Sequence, residues 1–305
     1  MAHVYDMVII GGGPGGYSAA LYAARAGLDV VVLEKLSAGG QMALTHQVDN
    51  YPGFAEGIDG FTLGLQMQEG AERFGAKTEY AEVESLDLLA DPKQINTSEG
   101  VFYGKTVVYA AGAGPRELGL PEEKKLVGRG VNYCAACDGM FYKGKTVVVV
   151  GGGNSAVADA LILARIAEKV ILVHRRDSLR AEKIYDKALR DAENLEFRWN
   201  SAVSQLLYDQ KVNAVKLRDV NSGEETVLAC DGVFVSIGRN PNTALVQGQV
   251  NLDSQGYVEA GESCRTNIPG VYAVGDVRTK ALRQIVTAAA DGAVAVHYAA
   301  EYLAG

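Results

Sequence analysis

"YDMVIIGGGPGGYSAALYAARAGLDVVVLEK", residues 5–35, decides how this chain folds. A short apolar run, Val8 to Ile10, leads into Gly11-x-Gly13-x-x-Gly16. An alanine-rich segment of helical composition then runs to about Ala26, and a second apolar run ends at Glu34. The order is strand, tight turn, helix, strand. Gly11 permits the turn, Gly13 lets backbone approach a pyrophosphate, and Gly16 lets helix and strand pack closely. The N–H groups that open the helix face the phosphates. Glu34 lies 21 residues beyond Gly13, where a carboxylate accepts hydrogen bonds from a ribose 2′-OH. Glycine turns occur in many folds, so the motif alone is weak. Both strands and the acid are in place here, which weighs against a purely structural turn.

The device recurs in "KTVVVVGGGNSAVADALILARIAEKVILVHRR", residues 145–176. Val147 to Val150 read as the strand and Gly151-x-Gly153-x-x-Ala156 as the turn, with alanine as the small substitute at the third position. A helix to about Ala167 precedes a strand, Val170 to Val173. The same 21-residue count from Gly153 reaches His174, followed by Arg175 and Arg176. A carboxylate there would repel a 2′-phosphate, whereas arginine binds one bidentately. The first site suits a nucleotide with a free 2′-OH and the second suits NADPH. Against a merely solvated charge run stands the register of these arginines with the turn.

Between the two devices, Thr106 to Ala110 read as a strand that ends in Gly112 and Gly114. Pro115, Pro121 and Pro241 mark two breaks, near 114–121 and 238–243. After the second break come "IPGVYAVGDV" and an alanine-rich segment, Arg283 to Leu303. The second unit already has its strands, so this tail returns to the first. The expected fold class is α/β, with two Rossmann-like nucleotide-binding domains, the second inserted into the first. The expected spans are 1–115 and 244–305 for one domain and 116–243 for the other.

The 305 residues are 48% hydrophobic and 22% charged, enough apolar content for a sizeable core. A formal net charge of −8 argues against nucleic acid or an anionic membrane as partner. The start of the chain has no secretory pattern, and no apolar run approaches the ~18 residues of a membrane span. Four cysteines are too few for a disulfide framework, which points to a reducing cytoplasm. Two of them lie in "VNYCAACDGMF", residues 131–141. Such a pair can close a disulfide, supply half a zinc site or be two small apolar residues. Structural zinc wants four ligands, but Cys230 and Cys264 stand 34 residues apart and the histidines at 3, 46, 174 and 297 are scattered, so no metal is expected. Cys230 and Cys264 read as buried small residues, and His46 and His297 as core or surface positions.

Together these stretches resemble the low-molecular-weight thioredoxin reductases from about Val4 to the end. "GGGPGG", "GGQ" with "NYPG", "CAACDG", "GGGNSA", "HRRDSLR", "GRNPNT", "VYAVGDVR" and "RQIVTAAADGAVA" occur in that family's order. The resemblance implies FAD in the first domain, with Gly11, Gly13, Pro14, Gly15 and Gly16 at its pyrophosphate and Glu34 and Lys35 at the adenosine ribose. Gly40, Gln41, Asn50, Ala111 and Gly112 would border the cofactor, and Gly275 and Asp276 would meet the ribityl chain. Arg283, Gln284 and Ile285 would begin a last helix whose positive end favours the anionic reduced flavin. NADPH would sit on Gly151, Gly153, Asn154, Ser155, Ala156 and Ile237, with His174, Arg175, Arg176 and Arg180 at the 2′-phosphate.

By the same resemblance, electrons run from NADPH to FAD to a Cys134–Cys137 disulfide and on to oxidised thioredoxin. Cys137 would lie against the flavin, Cys134 would attack the partner, and Asp138 would be the general acid and base. Read from the residues alone, Asp138 could equally be a helix cap or a surface carboxylate. Ala136 departs from the threonine of many members, a change expected to tune rather than abolish function. A homodimer is expected, as is rotation of the inserted domain, because nicotinamide and disulfide must each reach the flavin. The rival readings are a flavoprotein reductase of another disulfide, a dithiol oxidase, and a non-catalytic nucleotide-binding module.

Overall fold

The structure, a computed structural model, describes residues 3–45 and 47–305. Its contacts divide the chain into two compact units, one running up to Gly114 and resuming at Asn240–Gly305, the other Pro115–Arg239.

The first unit opens with β1 (Val4–Ile10), α1 (Pro14–Arg25) and β2 (Val30–Glu34). After α2 (Gly60–Glu72) follow β3 (Lys77–Tyr80), β4 (Val83–Asp87), β5 (Lys93–Thr97) and β6 (Gly100–Tyr109). The sheet order is β3-β2-β1-β6-β5-β4. β3, β2, β1 and β6 run parallel, and β5 pairs antiparallel with both β6 and β4. β2 and the C-terminal half of β1, Met7 to Ile10, are buried, as strands covered on both faces must be. Short β7 (Ala113–Pro115) carries the chain into the second unit.

There β8 (Val131–Asn132) precedes α3 (Ala135–Asp138), β9 (Thr146–Val150), α4 (Asn154–Ala164) and β10 (Lys169–Val173). Then come α5 (Asp186–Asp191), β11 (Leu195–Arg198) and an antiparallel meander, β12 (Ser201–Tyr208), β13 (Val212–Asp219) and β14 (Glu225–Ala229). β15 (Gly232–Val235) returns to complete a parallel sheet ordered β11-β10-β9-β15-β8. β9, β10, β11 and β15 therefore repeat the arrangement of β1, β2, β3 and β6, as two copies of one sequence device should.

After β16 (Arg239–Pro241), β17 (Val271–Ala273) pairs parallel with the C-terminal half of β6, and α6 (Ile285–Ala304) packs on α1. The helices meet closely because Gly292 has no side chain: a Cβ there would stand 2.3 Å from the Gly15 carbonyl oxygen. The tail thus belongs to the first unit.

The first crossing falls one residue before the expected boundary, the second four residues before it. Asn242 explains the second offset, because it is already held by the first unit. Its carbonyl accepts from the Tyr109 hydroxyl at 2.7 Å and its side-chain amide donates to the Ala111 carbonyl at 2.8 Å. Two helices also differ from the reading. α4 stops at Ala164, where the Leu163 carbonyl takes both Ile166 N–H (2.9 Å) and Ala167 N–H (2.8 Å) and tightens the last turn. α6 starts at Ile285 rather than Arg283, because Gln284 is its N-cap and shares a capping box with Thr287. No helix among the described residues is long and apolar enough to cross a membrane.

Candidate active site

Three elements converge in the first unit. Gly11 takes φ +103°, and a Cβ at Gly16 would stand 1.9 Å from the Gly11 carbonyl oxygen, so both positions need glycine. Gly13 caps α1 with extended backbone and no side-chain hydrogen bond, and the space where its Cβ would project holds no atom within 4 Å. That open cradle at a helix N-terminus fits a pyrophosphate. Glu34, at the end of β2, accepts from Gly12 N–H through Oε2 (2.7 Å) and from Leu36 N–H through Oε1 (3.0 Å). Each carboxylate oxygen keeps lone-pair capacity for a ribose hydroxyl. Lys35 instead reaches Glu82 at 2.6 Å.

The "GGQ" segment closes over this turn: Gly39 N–H donates to the Gly12 carbonyl at 2.8 Å, and a Cβ at Gly40 would touch Gly13. Gln41 is exposed, and Asn50 Nδ2 donates to Gln284 Oε1 at 3.1 Å, at the start of α6. Ile285 packs against the cluster of Met42, Val48 and Leu63. Ala111 lies beside Gly11, and Gly275 beside Gly15. Gly112 has φ +67° and is half-buried, one residue after Ala111, and Asp276 is half-buried one residue after Gly275. The Arg283 guanidinium sits 4.0 Å from the Tyr257 ring centroid and donates to the Asp276 carbonyl at 3.4 Å.

A buried charged cluster that sequence reading missed fixes the "VGDVR" loop. Asp291 on α6 accepts from Gly275 N–H (2.8 Å), from Arg278 through both oxygens (2.9 and 2.6 Å) and from Lys280 (2.7 Å). Burial alone would raise its carboxyl pKa, but the hydrogen bonds and charges of Arg278 and Lys280 outweigh burial and hold it below the usual range. Asp291→Ala leaves Arg278 buried without its counter-charge, at a cost of about 3–5 kcal/mol. Urea unfolding of the variant should show that loss. The depressed pKa has a sign: Asp291 contributes stability above the ordinary carboxyl pKa, and the contribution fades as pH falls below about 4 towards the folded-state value.

In the second unit Gly151 takes φ +151°, and a Cβ on it would stand 2.4 Å from the Ser236 carbonyl oxygen. Gly153 repeats the open position of Gly13. Ala156 is fully buried under the turn and Ser155 is exposed. The Asn154 side chain pairs with Glu182, donating to Oε1 at 3.1 Å and accepting its N–H at 2.9 Å. His174 is buried, and its ring fills the space beside Gly152. Burial and then Arg180, Arg176 and Arg175 lower its pKa, so the ring is neutral at pH 7. Its buried Nε2 has no hydrogen-bond partner. Arg175, Arg176 and Arg180 are exposed, and Arg180 N–H donates to the Gly152 carbonyl at 2.7 Å, which brings that arginine to the turn. Ile237 is half-buried at the end of β15.

Cys134 and Cys137 in this unit are joined in a disulfide with Cα atoms 5.3 Å apart. Both are half-buried, as is Asp138, and Ala136 is exposed. Clamps on either side hold the turn. Tyr133 donates to Glu123 at 2.8 Å, a buried carboxylate that also takes the N–H groups of Leu118, Gly119 and Leu120. Asn132 donates to the Tyr142 hydroxyl at 2.8 Å. Glu123 escaped sequence reading because its partners are backbone groups of an irregular loop. Asp291 escaped it too, although an acid set among alanines on the buried face of a helix is a signal that could have found it. Cys230 and Cys264 are buried, in different units, with thiol pKa values pushed up by burial to about 12 and about 11. His297 is exposed beside Glu301, and His46 lies outside the described residues.

A profile of the pyridine nucleotide-disulphide oxidoreductases matches residues 5–292. The chain belongs to this family. Within the family its relatives are thioredoxin reductases. That of Streptomyces clavuligerus is 46% identical over 308 aligned positions, covering 100% of this chain and 95% of the relative. A thioredoxin reductase structure from Streptococcus pyogenes superposes with a TM-score of 0.90 at 42% identity, covering 100% and 99% of the two chains. One from Lactococcus lactis in the FR conformation gives 0.71 at 40% identity, covering 98% and 99%. The two dinucleotide-binding folds and the Cys134–Cys137 pair are those of a disulfide oxidoreductase of this family.

Proposed function

We propose that the chain is an NADPH-dependent thioredoxin-disulfide reductase that carries FAD. The observation that supports this most is a disulfide built into the same unit as a glycine turn whose acid position holds His174, Arg175 and Arg176. The first unit would hold FAD, with Gly11 to Gly16 at the pyrophosphate, Glu34 at the ribose, and Gly40, Gln41, Asn50, Ala111, Gly112, Asp276 and Arg283 to Ile285 around the rest. Gly151, Gly153 and Ala156 would cradle NADPH, and Arg175, Arg176 and Arg180 would grip its 2′-phosphate. Bound FAD supplies a two-electron relay that accepts hydride from NADPH and reduces a disulfide.

This chain's own residues do the rest. Arginine forks select the phosphorylated dinucleotide. Cys134 as thiolate attacks one sulfur of oxidised thioredoxin, and the other sulfur leaves as a thiolate. Asp138 delivers a proton to that leaving group. Cys137 then attacks the mixed disulfide, which releases reduced thioredoxin and restores the Cys134–Cys137 bond. The books balance: one disulfide is reduced by two electrons and two protons, and one dithiol is oxidised.

Nicotinamide and disulfide ride on one unit and the flavin on the other, so the reading includes rotation between half-reactions. It also includes a homodimer and a cytoplasmic address, both carried by family membership. The deciding experiment is an anaerobic assay of the yellow protein with NADPH or NADH and oxidised thioredoxin. Thioredoxin should be reduced with NADPH and far more slowly with NADH, and a colourless, inactive protein would overturn the reading. A disulfide engineered between the units should block turnover while FAD stays bound, and full activity in the locked form would refute the rotation.

A further inference from the structure

The chain has one tryptophan, and its ring stands against His174 at the head of the arginine run. Trp199 directly follows β11, the outermost strand of its sheet, which lies beside β10. Beyond these strands the two segments go on pairing. His174 N–H donates to the Arg198 carbonyl at 2.9 Å, Ser201 N–H to the His174 carbonyl at 3.0 Å, and Asn200 N–H to the Arg176 carbonyl at 3.1 Å. Asn200 takes φ +51°, a left-handed conformation that asparagine tolerates. The Ser201 hydroxyl then donates to the Trp199 carbonyl at 2.8 Å. The backbone around the tryptophan is therefore fixed against the segment that carries Arg175 and Arg176.

The ring is held as well. The indole stacks on Phe197, with centroids 4.8 Å apart and planes 5° from parallel, and meets the His174 imidazole edge-on at 6.4 Å. Phe197 packs on the apolar cluster of Ala156 and Leu189, and so does Leu179, from the loop between Arg176 and Arg180. His174 in turn fills the space beside Gly152, whose carbonyl accepts from Arg180 N–H. A row of contacts runs from Phe197 through Trp199 and His174 to the glycine turn, with Arg175 and Arg176 exposed alongside. Long arginine side chains lose much rotamer freedom when they grip a phosphate. A backbone held in place beforehand lowers the remaining cost of binding without adding a contact.

We propose that Trp199 is a positioning residue for cofactor selection: its indole, clamped between Phe197 and His174, keeps the Arg175–Arg176 segment preformed for the 2′-phosphate of NADPH. The inference rests on the NADPH reading above and extends it to a residue outside both the glycine turn and the arginine run. It implies a split between ligands. A dinucleotide without the 2′-phosphate gains nothing from that segment, so loosening the segment penalises the phosphorylated ligand alone. General damage to the unit would penalise both.

The holoenzyme is titrated by calorimetry with 2′,5′-ADP, which carries the adenosine 2′-phosphate but no nicotinamide, and is assayed in parallel with NADPH and NADH. Trp199→Ala should weaken 2′,5′-ADP about tenfold and raise KM for NADPH by the same factor with kcat kept, while kcat/KM for NADH changes less than about twofold. Trp199→Phe should recover most of the affinity, because a phenyl ring can still stack on Phe197 and meet His174. A Trp199→Ala protein that binds 2′,5′-ADP as tightly as the wild type, or that loses NADPH and NADH equally, overturns the proposal. Should that variant fail to fold, Trp199→Leu carries the test: it keeps apolar volume, lacks the flat face, and should show the same split. A wild type that does not bind 2′,5′-ADP overturns the NADPH reading itself and this inference with it, whereas a wild type that binds it and variants that match it overturn this inference alone.

Discussion

Cys137→Ser should take up two electrons per chain from NADPH instead of four, and its turnover with thioredoxin should collapse. The full protein stores two electrons at the flavin and two at the disulfide, and the substitution removes the second store while leaving every residue of the two glycine turns in place. Without a second sulfur the mixed disulfide with thioredoxin has no resolving partner. Steady-state activity should therefore fall by more than about 10³, the scale expected when a covalent catalyst loses its nucleophile. Anaerobic titration measures the electrons and a thioredoxin-coupled assay the turnover. Serine is nearly isosteric and the disulfide it removes closes only a short loop, so stability should fall by no more than about 2 kcal/mol. Four electrons in the variant would place the second acceptor elsewhere in the chain. The other cysteines are poor candidates, since burial pushes their thiols up to about 12 and about 11.

Replacing both Arg175 and Arg176 with alanine should erase the preference for NADPH. Each exposed guanidinium would make charge-assisted hydrogen bonds to the 2′-phosphate, worth about 1.5–3 kcal/mol apiece. Together they predict a fall in kcat/KM for NADPH on the order of 10²–10⁴, with NADH changed little. The loss should appear in KM more than in kcat, because the phosphate is remote from the reacting carbon. High salt should mimic part of the effect, since exposed charges are screened. Equal losses with NADH and NADPH would show that the arginines stabilise the unit rather than read the phosphate. His174 is not the residue to test first. It is buried and neutral against Gly152, and its removal would open a cavity beneath the turn.

Both glycine turns, the strand–turn–helix–strand repeat around each, the insertion of one unit into the other and the proximity of Cys134 to Cys137 were legible in the linear chain. Local chemistry explains this. Positive φ at Gly11 and Gly151, the close approach at Gly16, and a pair of cysteines within one helical turn are constraints that act over a few residues and leave a signature in spacing. The insertion was legible because a parallel strand and helix with no unit of their own had to return somewhere, and the contact of α6 with α1 shows where they went.

Tertiary structure alone decided which polar groups serve the site. Asp159 and Asp291 sit on alanine-rich helices, and their partners lie on other elements: Ser236 for one, Arg278, Lys280 and Gly275 for the other. The second unit boundary was decided the same way, by Asn242 bonding to Tyr109 and Ala111 across more than a hundred residues. Spacing records what a segment does to itself. A buried charge is tolerated only where distant donors converge on it, and that convergence exists once the chain has folded.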